Sequence, residues 1–456
     1  MPRKSSLSER TSPWYAEVTG YQWLVLIIAS LGWIFDVYEG QIFVACMTEA
    51  MPELLPDETA PDQIDFYNKV IFAAFLAGGA LGGVVFGVLS DRIGRVRTLS
   101  YTILMYSAFT CLSALANTWW QMALLRFLVA IGVGGEWAVA SAMVAEVFPQ
   151  RARAWSLAIF HGSSVLGTYL AIAAGVFVIG NPNIGWRWGF AIGVLPALLI
   201  FWIRRGLREP ESWQAAQAHS ASSTNGELGR LSALFRPPEL PRMLVGVGLA
   251  TIGLATFWGV HVYGKNLMRD ARQSEIVAHL PADATSDEVE QIVAANASSL
   301  KNWEMLGMFL VTTGGGIGLV SFGPICESMG RRGAFLFFHI GGLVTALFVF
   351  QTLTGSSIPV LIAVLPVFGF LTLGMHAGYA VYFPELFPTK LRGTGTGFCF
   401  NFGRILAAPI LIVVGWLQRD QDYSVADAAS LLSLLFILGA VLLLAAPETR
   451  GKRLPD

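Results

Sequence analysis

The sequence predicts an all-α membrane protein with twelve transmembrane helices in two pseudo-symmetric six-helix halves. The first reason is composition: hydrophobic residues make up 54% of the 456 residues and charged residues only 13%, with a mean hydropathy of +0.58, whereas a soluble domain carries about 25% charged residues. The second reason is that the apolar residues form runs long enough to cross a bilayer. The third is a short polar motif that occurs twice, at the same place in each half.

The apolar runs number about twelve, and each holds roughly 18 to 27 residues, enough to cross a hydrocarbon core of about 30 Å. The first run is too long to be the apolar region of a signal peptide, so we expect it to remain as a membrane helix. The runs cover approximately residues 22–48, 66–89, 98–116, 119–145, 154–179, 185–205, 242–268, 302–325, 334–354, 357–383, 393–416 and 424–446.

The repeated motif follows the second and the eighth run. Its copies begin at Gly87 and Gly323, 236 residues apart, and each carries an acid, a glycine and an arginine at matching places. A second signature is also repeated, at 146–153 and, 239 residues later, at 385–392. The chain is therefore expected to be a duplicated bundle. Its predicted domains are a six-helix bundle over 1–205, a cytoplasmic linker rich in Ser, Ala, Gly and Pro over 206–241, and a second bundle over 242–456.

The distribution of Lys and Arg predicts the orientation. With both termini in the cytoplasm, 21 of the 30 basic residues fall in inner segments, and the first outer loop, residues 49–65, has none; this is the asymmetry that the positive-inside rule describes. We therefore expect an integral protein of the plasma (inner) membrane with both termini cytoplasmic. An outer stretch at 269–301 is longer than the other loops, and residues 287–293 within it indicate a short exposed helix.

Charge and cysteine usage argue against several other classes. The formal net charge of -1 and the pI near 6.6 argue against nucleic acid as a partner, because proteins that bind phosphate backbones need a strongly basic surface. The four cysteines have neither metal-site nor disulfide spacing, so we interpret them as small hydrophobic residues. No combination of nucleophile, base and orienting group is visible. We expect no enzyme activity, no metal site and no cofactor other than a proton as coupling ion.

Two six-helix sets with this repeated loop resemble the major facilitator superfamily, whose halves hold a substrate between them. Three further signatures extend the resemblance over nearly the whole chain: Arg126 to Gly135, Pro210-Glu211-Ser212, and Pro447 to Gly451. The last two are similar to endings found in sugar porters and related organic-acid symporters. The Gly-Pro signature of drug antiporters is missing from the fifth run, so the resemblance implies uptake rather than export.

The first helix carries a more specific resemblance. Its residues 35–40 look like the signature of aromatic-acid and other carboxylate:proton symporters, and Tyr38 followed by Glu39 is similar to sugar porters as well. Uptake coupled to protons requires a group in the membrane that binds and releases a proton, and an intramembrane carboxylate is such a group.

The candidates for this role are acids near one arginine. Asp36 and Glu39 lie three residues apart, on one helical face, at a depth where an unpaired carboxylate is costly. The helical rise places Arg126 at nearly the depth of Glu39. We interpret Asp36, Glu39 and Arg126 as proton-coupling residues, with Glu136 as a further titrating group. The structural alternative is a static ion pair that fixes the packing of the first and fourth helices.

Substrate contacts are expected from the helices that line the central cavity in the family. Arg404 stands in the middle of the eleventh helix, where its guanidinium could bind a substrate carboxylate through two hydrogen bonds, with Asn401 one turn away. The alternative is an Arg paired with an acid of a neighbouring helix. The predicted substrate-binding residues are Tyr38, Gln41, His261, His376, Asn401 and Arg404.

The repeated loops are interpreted as a cytoplasmic gate. Asp91 ends the second helix and could face the amino end of the eleventh, where the helix dipole favours an anion, while Arg95 and Arg151 could pair with Glu146. The alternative is a basic cluster that only sets the topology. The predicted gate residues are Asp91, Arg92, Arg95, Glu146, Arg151, Arg153, Glu327, Arg331, Glu385 and Arg392.

Together these features predict a proton-coupled symporter that imports a small organic acid or sugar-like metabolite by alternating access. Its expected partners are a small-molecule substrate and the lipid bilayer, and we expect a monomer. Two alternatives stay open. One is a uniporter or exporter in which Asp36 and Glu39 bind a neutral or cationic solute, and the other is a transport-incompetent sensor of the same fold.

Overall fold

The computed structural model describes residues 13–56, 59–179, 184–222, 228–281, 284–421 and 423–456. Within these ranges the regular structure is helical throughout, and no β-strand is present. The all-α fold class is therefore confirmed. The basic residues of the first twelve positions, which contribute to the predicted orientation, lie outside the described residues.

The described chain contains nineteen α-helices, and several of the predicted runs are divided between two of them. In chain order they are α1 (Gly20–Leu54), α2 (Pro61–Ile93), α3 (Arg95–Ser113), α4 (Trp119–Val147), α5 (Gln150–Gly162), α6 (Ser164–Ala174), α7 (Trp186–Ala191), α8 (Leu199–Gly206), α9 (Glu211–Ser222), α10 (Glu239–Gly259), α11 (Asn266–Val277), α12 (Ser286–Ala295), α13 (Ala297–Thr352), α14 (Ile358–Leu373), α15 (His376–Leu386), α16 (Arg392–Ala407), α17 (Ile410–Asp420), α18 (Val425–Ser433) and α19 (Leu435–Leu442).

Ten helical segments of the described chain are long and apolar enough to cross a membrane. Two features relate them to the twelve predicted spans. Helix α13, at 56 residues, runs through two predicted spans and bends at Gly330, where φ is 83°. Helix α3 covers the predicted run 98–116 but is rich in Ser and Thr. Their hydroxyls donate to the helix's own carbonyls, as Ser100 does to Val96 at 2.9 Å, so this more polar helix can still be buried.

Contacts divide the chain into two compact units. The first unit is Met1–Leu234 with Ala380–Gly397 and Thr449–Asp456, and the second is Phe235–Tyr379 with Phe398–Glu448. The main division falls inside the predicted linker at 206–241. The first unit also takes in most of α15 and the first turns of α16, and this places the predicted gate residues around Asp91 and Arg392 in one unit.

In each unit, glycine allows two long helices to approach closely. A Cβ at Gly82 of α2 would overlap the carbonyl of Ile131 in α4, and in the second unit a Cβ at Gly314 of α13 would overlap the carbonyl of Pro366 in α14. Small residues at such crossings let backbones touch in a membrane, where packing rather than the hydrophobic effect holds helices together. Helix α4, which carries Arg126 and Glu136, is thereby fixed against α2.

The predicted exposed helix at 287–293 is present as α12 and has no buried residue. Thr285 and Glu288 form a capping box: the Thr285 backbone N–H donates to Glu288 Oε2 at 2.8 Å, and the Glu288 N–H donates to Thr285 Oγ1 at 3.4 Å. The hydrogen bonds from the Thr285 backbone and then its hydroxyl hold the pKa of Glu288 below its usual range.

Candidate functional site

A buried acid and arginine face each other between α1 and α4 of the first unit. Glu39 and Arg126 are both fully buried, and Arg126 Nη2 lies 3.9 Å from Glu39 Oε2. Arg126 also donates from Nη1 to the Glu39 backbone carbonyl at 3.2 Å and from Nη2 to Thr110 Oγ1 at 3.0 Å. The Phe190 ring packs on the guanidinium, with its centroid 4.9 Å from Cζ. Backbone, hydroxyl and ring contacts thus hold the guanidinium in place.

The Glu39 carboxylate is held less tightly than its arginine. Neither of its oxygens accepts a hydrogen bond of standard geometry from the described residues, and its 3.9 Å separation from Arg126 exceeds a charge-assisted hydrogen bond of about 2.7–2.9 Å. A carboxylate at this depth needs either a cation or a proton. Since other groups position Arg126, Glu39 can change between these two states without dismantling the site.

The other two predicted acids belong to the same unit. Asp36 is 2% exposed and Glu136 is fully buried. Glu136 points from α4 towards α1, where a Cβ at Gly32 would overlap its Oε1. Tyr106 of α3, which the sequence did not single out, lies within electrostatic reach of Glu136, Asp36 and Glu39. One unit therefore contains all four predicted proton-coupling residues together with a tyrosine hydroxyl.

Two predicted substrate residues also lie on α1. Tyr38 is buried, and its hydroxyl donates to the Gly189 carbonyl at 2.8 Å, which ties α1 to α7. Gln41 is half-buried. Their contact with a substrate stays a prediction.

The remaining predicted substrate residues belong to the second unit. His261 Nδ1 lies 2.7 Å from Thr372 Oγ1, and His376 Nε2 lies 3.2 Å from the Gly253 carbonyl oxygen. The ring of Phe257 packs against both imidazoles, at centroid distances of 5.2 Å from His261 and 5.7 Å from His376. These contacts group the two histidines around one aromatic side chain.

Two predicted polar residues follow each other along α16. Asn401 is fully buried, and Arg404 is half-buried with its Cζ 5.2 Å from the Phe400 ring centroid. Contact with an aromatic face orients a guanidinium and leaves the N–H groups in its own plane able to bind a carboxylate. The geometry suits the predicted role of Arg404, which stays a prediction.

Asp91, at the end of α2, caps the amino end of α16. Its Oδ1 accepts the Gly393 backbone N–H at 3.0 Å, and its Oδ2 accepts the Thr394 N–H at 2.7 Å and hydroxyl at 2.6 Å. The carboxylate is fully buried. Backbone N–H groups and the helix dipole favour an anion at this place. The Asp91 backbone carbonyl accepts a further hydrogen bond from Trp213 Nε1 at 2.8 Å.

Arg95 connects Asp91 to a second acid. Its Nη1 lies 2.6 Å from Asp91 Oδ1 and its Nη2 lies 2.8 Å from Glu146 Oε1. Arg392 Nη1 donates to the same Glu146 oxygen at 2.7 Å. We call these four residues the Arg95 network. Its two acids and two arginines are almost completely buried, which is tolerable because the charges balance and each is hydrogen-bonded.

The other predicted gate residues are not members of the Arg95 network. Arg151 lies in the first turn of α5. Partners of the others include the carbonyls of Leu228 and Gly229 for Arg92, the Ala145 carbonyl for Arg153, Arg331 for Glu327 and the Thr449 hydroxyl for Glu385.

Two acids outside the predicted set cap helices next to these loops. Glu209 accepts the Arg95 backbone N–H at 2.6 Å, and Glu448 accepts that of Arg331 at 2.9 Å. Sequence reasoning emphasised Glu211 instead of Glu209. The signal was present, because Glu209 and Glu448 are 239 residues apart, the same spacing as the second repeated signature.

Comparisons with known proteins agree with this architecture. The sequence model described as Major Facilitator Superfamily matches residues 41–410. The niacin transporter NiaP of Acinetobacter baylyi is 27% identical to the chain, with 95% of this chain and 96% of the relative covered. The cis,cis-muconate transport protein of the same organism is 29% identical, with 75% and 76% covered.

The fold is also that of a solved transporter. The structure of the proton:xylose symporter XylE bound to 6-bromo-6-deoxy-D-glucose covers 95% of this chain and 98% of its own, with a TM-score of 0.72 and 17% identity. At this identity the likeness shows the fold alone.

Proposed function

Because the chain belongs to the Major Facilitator Superfamily, we propose that it is a symporter that imports a small organic acid together with protons by alternating access. It is an integral membrane transporter and not an enzyme, and the relatives that match it are also transporters. The observation that carries the proposal of proton coupling is the buried Glu39–Arg126 pair.

Proton coupling follows from how this pair is built. Arg126 has three other contacts, whereas the Glu39 carboxylate makes no hydrogen bond of standard geometry within the described residues and has the guanidinium 3.9 Å away. A small change in the packing of α1 against α4 would weaken that attraction, and the carboxylate would then bind a proton. When the pair closes again, the proton is released. If the protonated carboxylate is open to one side of the membrane and the ionised carboxylate to the other, each transport cycle must move a proton.

An organic anion is the substrate class that the second unit suits best. Arg404 offers a planar guanidinium beside Phe400, and a guanidinium binds a carboxylate through two parallel hydrogen bonds. Two relatives are named for niacin and for cis,cis-muconate, and both of these solutes carry carboxylates. A sugar-like solute has no carboxylate for a guanidinium to bind.

The Arg95 network serves as the gate in this proposal. Its members join α2, α3 and α4 to the first turn of α16. Breaking it requires several buried charges to be separated together, so the network has a closed and an open state with little between them.

Binding is tested first with a matched pair of probes. Purified protein is melted in the presence of niacin or of nicotinamide, which differ in that only niacin carries a carboxylate. A ligand at 100 times its Kd stabilises a fold by about 2.7 kcal/mol. We expect a raised Tm with niacin, or with cis,cis-muconate, and none with nicotinamide. Stabilisation by neutral solutes alone would contradict the organic-acid assignment.

Coupling is tested by measuring uptake into proteoliposomes under an inward proton gradient. Radiolabelled niacin and cis,cis-muconate are the probes. The Glu39→Gln variant should lose gradient-driven accumulation and keep exchange of labelled for unlabelled solute. Glu53→Gln is the matched control, because Glu53 lies on the same helix and pairs with Arg187 at 3.4 Å but is 55% exposed. Accumulation retained by Glu39→Gln would show that Glu39 does not carry the coupled proton.

A further inference from the structure

Glu136 forms a second buried acid site, distinct from the Glu39–Arg126 pair. Its side chain is fully buried, and neither carboxyl oxygen has a hydrogen bond of standard geometry within the described residues. The carboxyl is pressed against α1 where Gly32 lacks a side chain. The Tyr106 hydroxyl of α3 faces it without completing such a hydrogen bond. A polar group buried in this way is rare enough to require an explanation.

The two acid sites lie one turn apart along helix α3. Tyr106 of α3 faces Glu136. Thr110, four residues later, lies beside Glu39 and accepts a hydrogen bond from Arg126. Residues four apart lie on one helical face, about 6 Å apart along the axis. The two carboxylates therefore occupy successive levels beside the same face of α3.

Within the described residues, a cation, Arg126, lies beside Glu39 but none lies beside Glu136. Arg126 is engaged with Glu39, Thr110 and Phe190, and within the described residues Glu136 has no ion pair. Tyr106 on α3 faces Glu136, and Tyr106 is also within electrostatic reach of the acids Asp36 and Glu39 on α1. On the side of α5, His161 Nδ1 accepts a hydrogen bond from Trp137 Nε1 at 2.9 Å.

From this arrangement we infer that Glu136 is a second proton site, which holds its proton in the described state and is loaded separately from Glu39. An ionised carboxylate without partner or water is far more costly in an apolar interior than a neutral carboxylic acid. The proton on Glu136 neutralises its carboxylate, which has no ion-pair partner among the described residues. Tyr106 is a positioning residue that can donate to Glu136 once the proton has left.

The missing hydrogen bonds distinguish a loading site from a structural acid. A carboxylic acid that served packing alone would be expected to donate its O–H to a neighbouring carbonyl, as the hydroxyls of Thr98, Ser100 and Thr102 on α3 do. Within the described residues Glu136 has no such acceptor, as expected of an acid whose partner belongs to another state of the carrier. The inference rests on the proposed function only where it concerns transport: one cycle that uses both sites moves two protons.

Infrared spectroscopy of the reconstituted carrier tests the proton directly and needs no substrate. At neutral pH the wild type should show the C=O stretch of a protonated carboxyl, and the band should shift on transfer to D2O. The Glu136→Gln variant should lose the intensity of one carboxyl, and Glu53→Gln should change nothing. Absence of the band in the wild type, or an undiminished band in Glu136→Gln, would overturn the assignment. A band that never exchanges would identify a fixed structural acid and overturn it equally.

Tyr106→Phe provides a second test that leaves Glu136 in place, so it does not require the Glu136→Gln protein to fold. It should move the frequency and the pH midpoint of the Glu136 band, whereas Tyr101→Phe, on the exposed face of the same helix, should not. Unchanged band and midpoint in Tyr106→Phe would remove Tyr106 from the site.

The number of protons moved per substrate is measured from the accumulation of niacin, with the membrane potential clamped at zero. Per unit of pH gradient, two protons support about hundredfold accumulation of an anion and one proton about tenfold. We expect the first ratio for the wild type and the second for Glu136→Gln. A hundredfold ratio in both would contradict a transported proton on Glu136. If no acid is transported at all, the proposed function fails, and the infrared result still decides whether Glu136 is protonated.

Discussion

Glu209 and Glu448 occupy equivalent positions in the two units, and each caps a helix segment that follows a glycine with positive φ. Gly94 precedes α3 with φ 110°, and Gly330 has φ 83° inside α13. A Cβ at either glycine would overlap the capping carboxylate. The glycine thus permits the bend of the chain and also makes room for the acid, which explains why glycine and acid recur together in the two halves.

Replacing Glu209 with Gln should destabilise the protein by about 1 kcal/mol, because the amide lacks the charge that suits the amino end of a helix. Thermal unfolding in detergent measures the loss. Glu290→Gln is the control, since Glu290 is exposed and lies beyond the first turn of α12, and it should leave the Tm unchanged. Glu448→Gln should lower the Tm about as much as Glu209→Gln. Equal Tm values for all the variants would show that the caps contribute nothing.

The sequence was sufficient for most of the fold, because hydropathy and a repeated polar loop report directly on membrane spans and duplication. It also predicted the depth at which Arg126 meets Glu39, since helical rise is regular. It could not reveal Tyr106 or Gly32. A tyrosine and a glycine are ordinary in a membrane helix, and only the rotation of α3 and α1 about their axes brings them to Glu136. Packing between helices decides that rotation, and no local pattern encodes it.

Arg404→Lys should weaken binding of niacin by about 10-fold to 100-fold, because an ammonium is a point charge that cannot reproduce two parallel hydrogen bonds. Calorimetric titration of purified protein measures the Kd. Arg205→Lys is the control, as Arg205 also stacks on a phenylalanine, with Cζ 3.8 Å from the Phe201 centroid, but belongs to α8. A Kd that stays the same in Arg404→Lys would place the carboxylate contact elsewhere.

Single cysteines should reveal the predicted orientation in intact cells. Cysteines at Ser222 and Asp456, both exposed, should react with a membrane-impermeant maleimide only after permeabilisation, and a cysteine at Asp287, on exposed α12, should react without it. The charge asymmetry of the loops predicts this pattern. The four native cysteines are first replaced by Ser to remove background. Labelling of Ser222→Cys in sealed cells would contradict the predicted orientation.

Asp91→Asn should loosen the amino end of α16 and favour opening of the Arg95 network. The asparagine keeps one acceptor for the backbone N–H groups but loses the charge, worth about 0.3–1 kcal/mol at a helix end and up to about 2 kcal/mol when partly buried. A difference of one to two kcal/mol changes the ratio of two states by about 5-fold to 30-fold. Spin labels at Arg97 and Lys390, which the structure places in one unit, should report a larger share of long distances by pulsed EPR, together with slower transport.

The same chemical change at Glu327 separates this effect from a general loss of charge. Glu327 stands 236 residues after Asp91 and pairs with Arg331 at 2.7 Å, but its side chain is 31% exposed, and it belongs to the second unit, whereas both labelled positions belong to the first. Glu327→Gln should therefore leave the distance distribution as in the wild type. If Asp91→Asn slows transport while its distances also stay unchanged, Asp91 acts on transport by a route other than the cap on α16. If both variants lengthen the distances equally, the effect belongs to the net charge of the loops and not to the hydrogen bonds that Asp91 makes with Gly393 and Thr394.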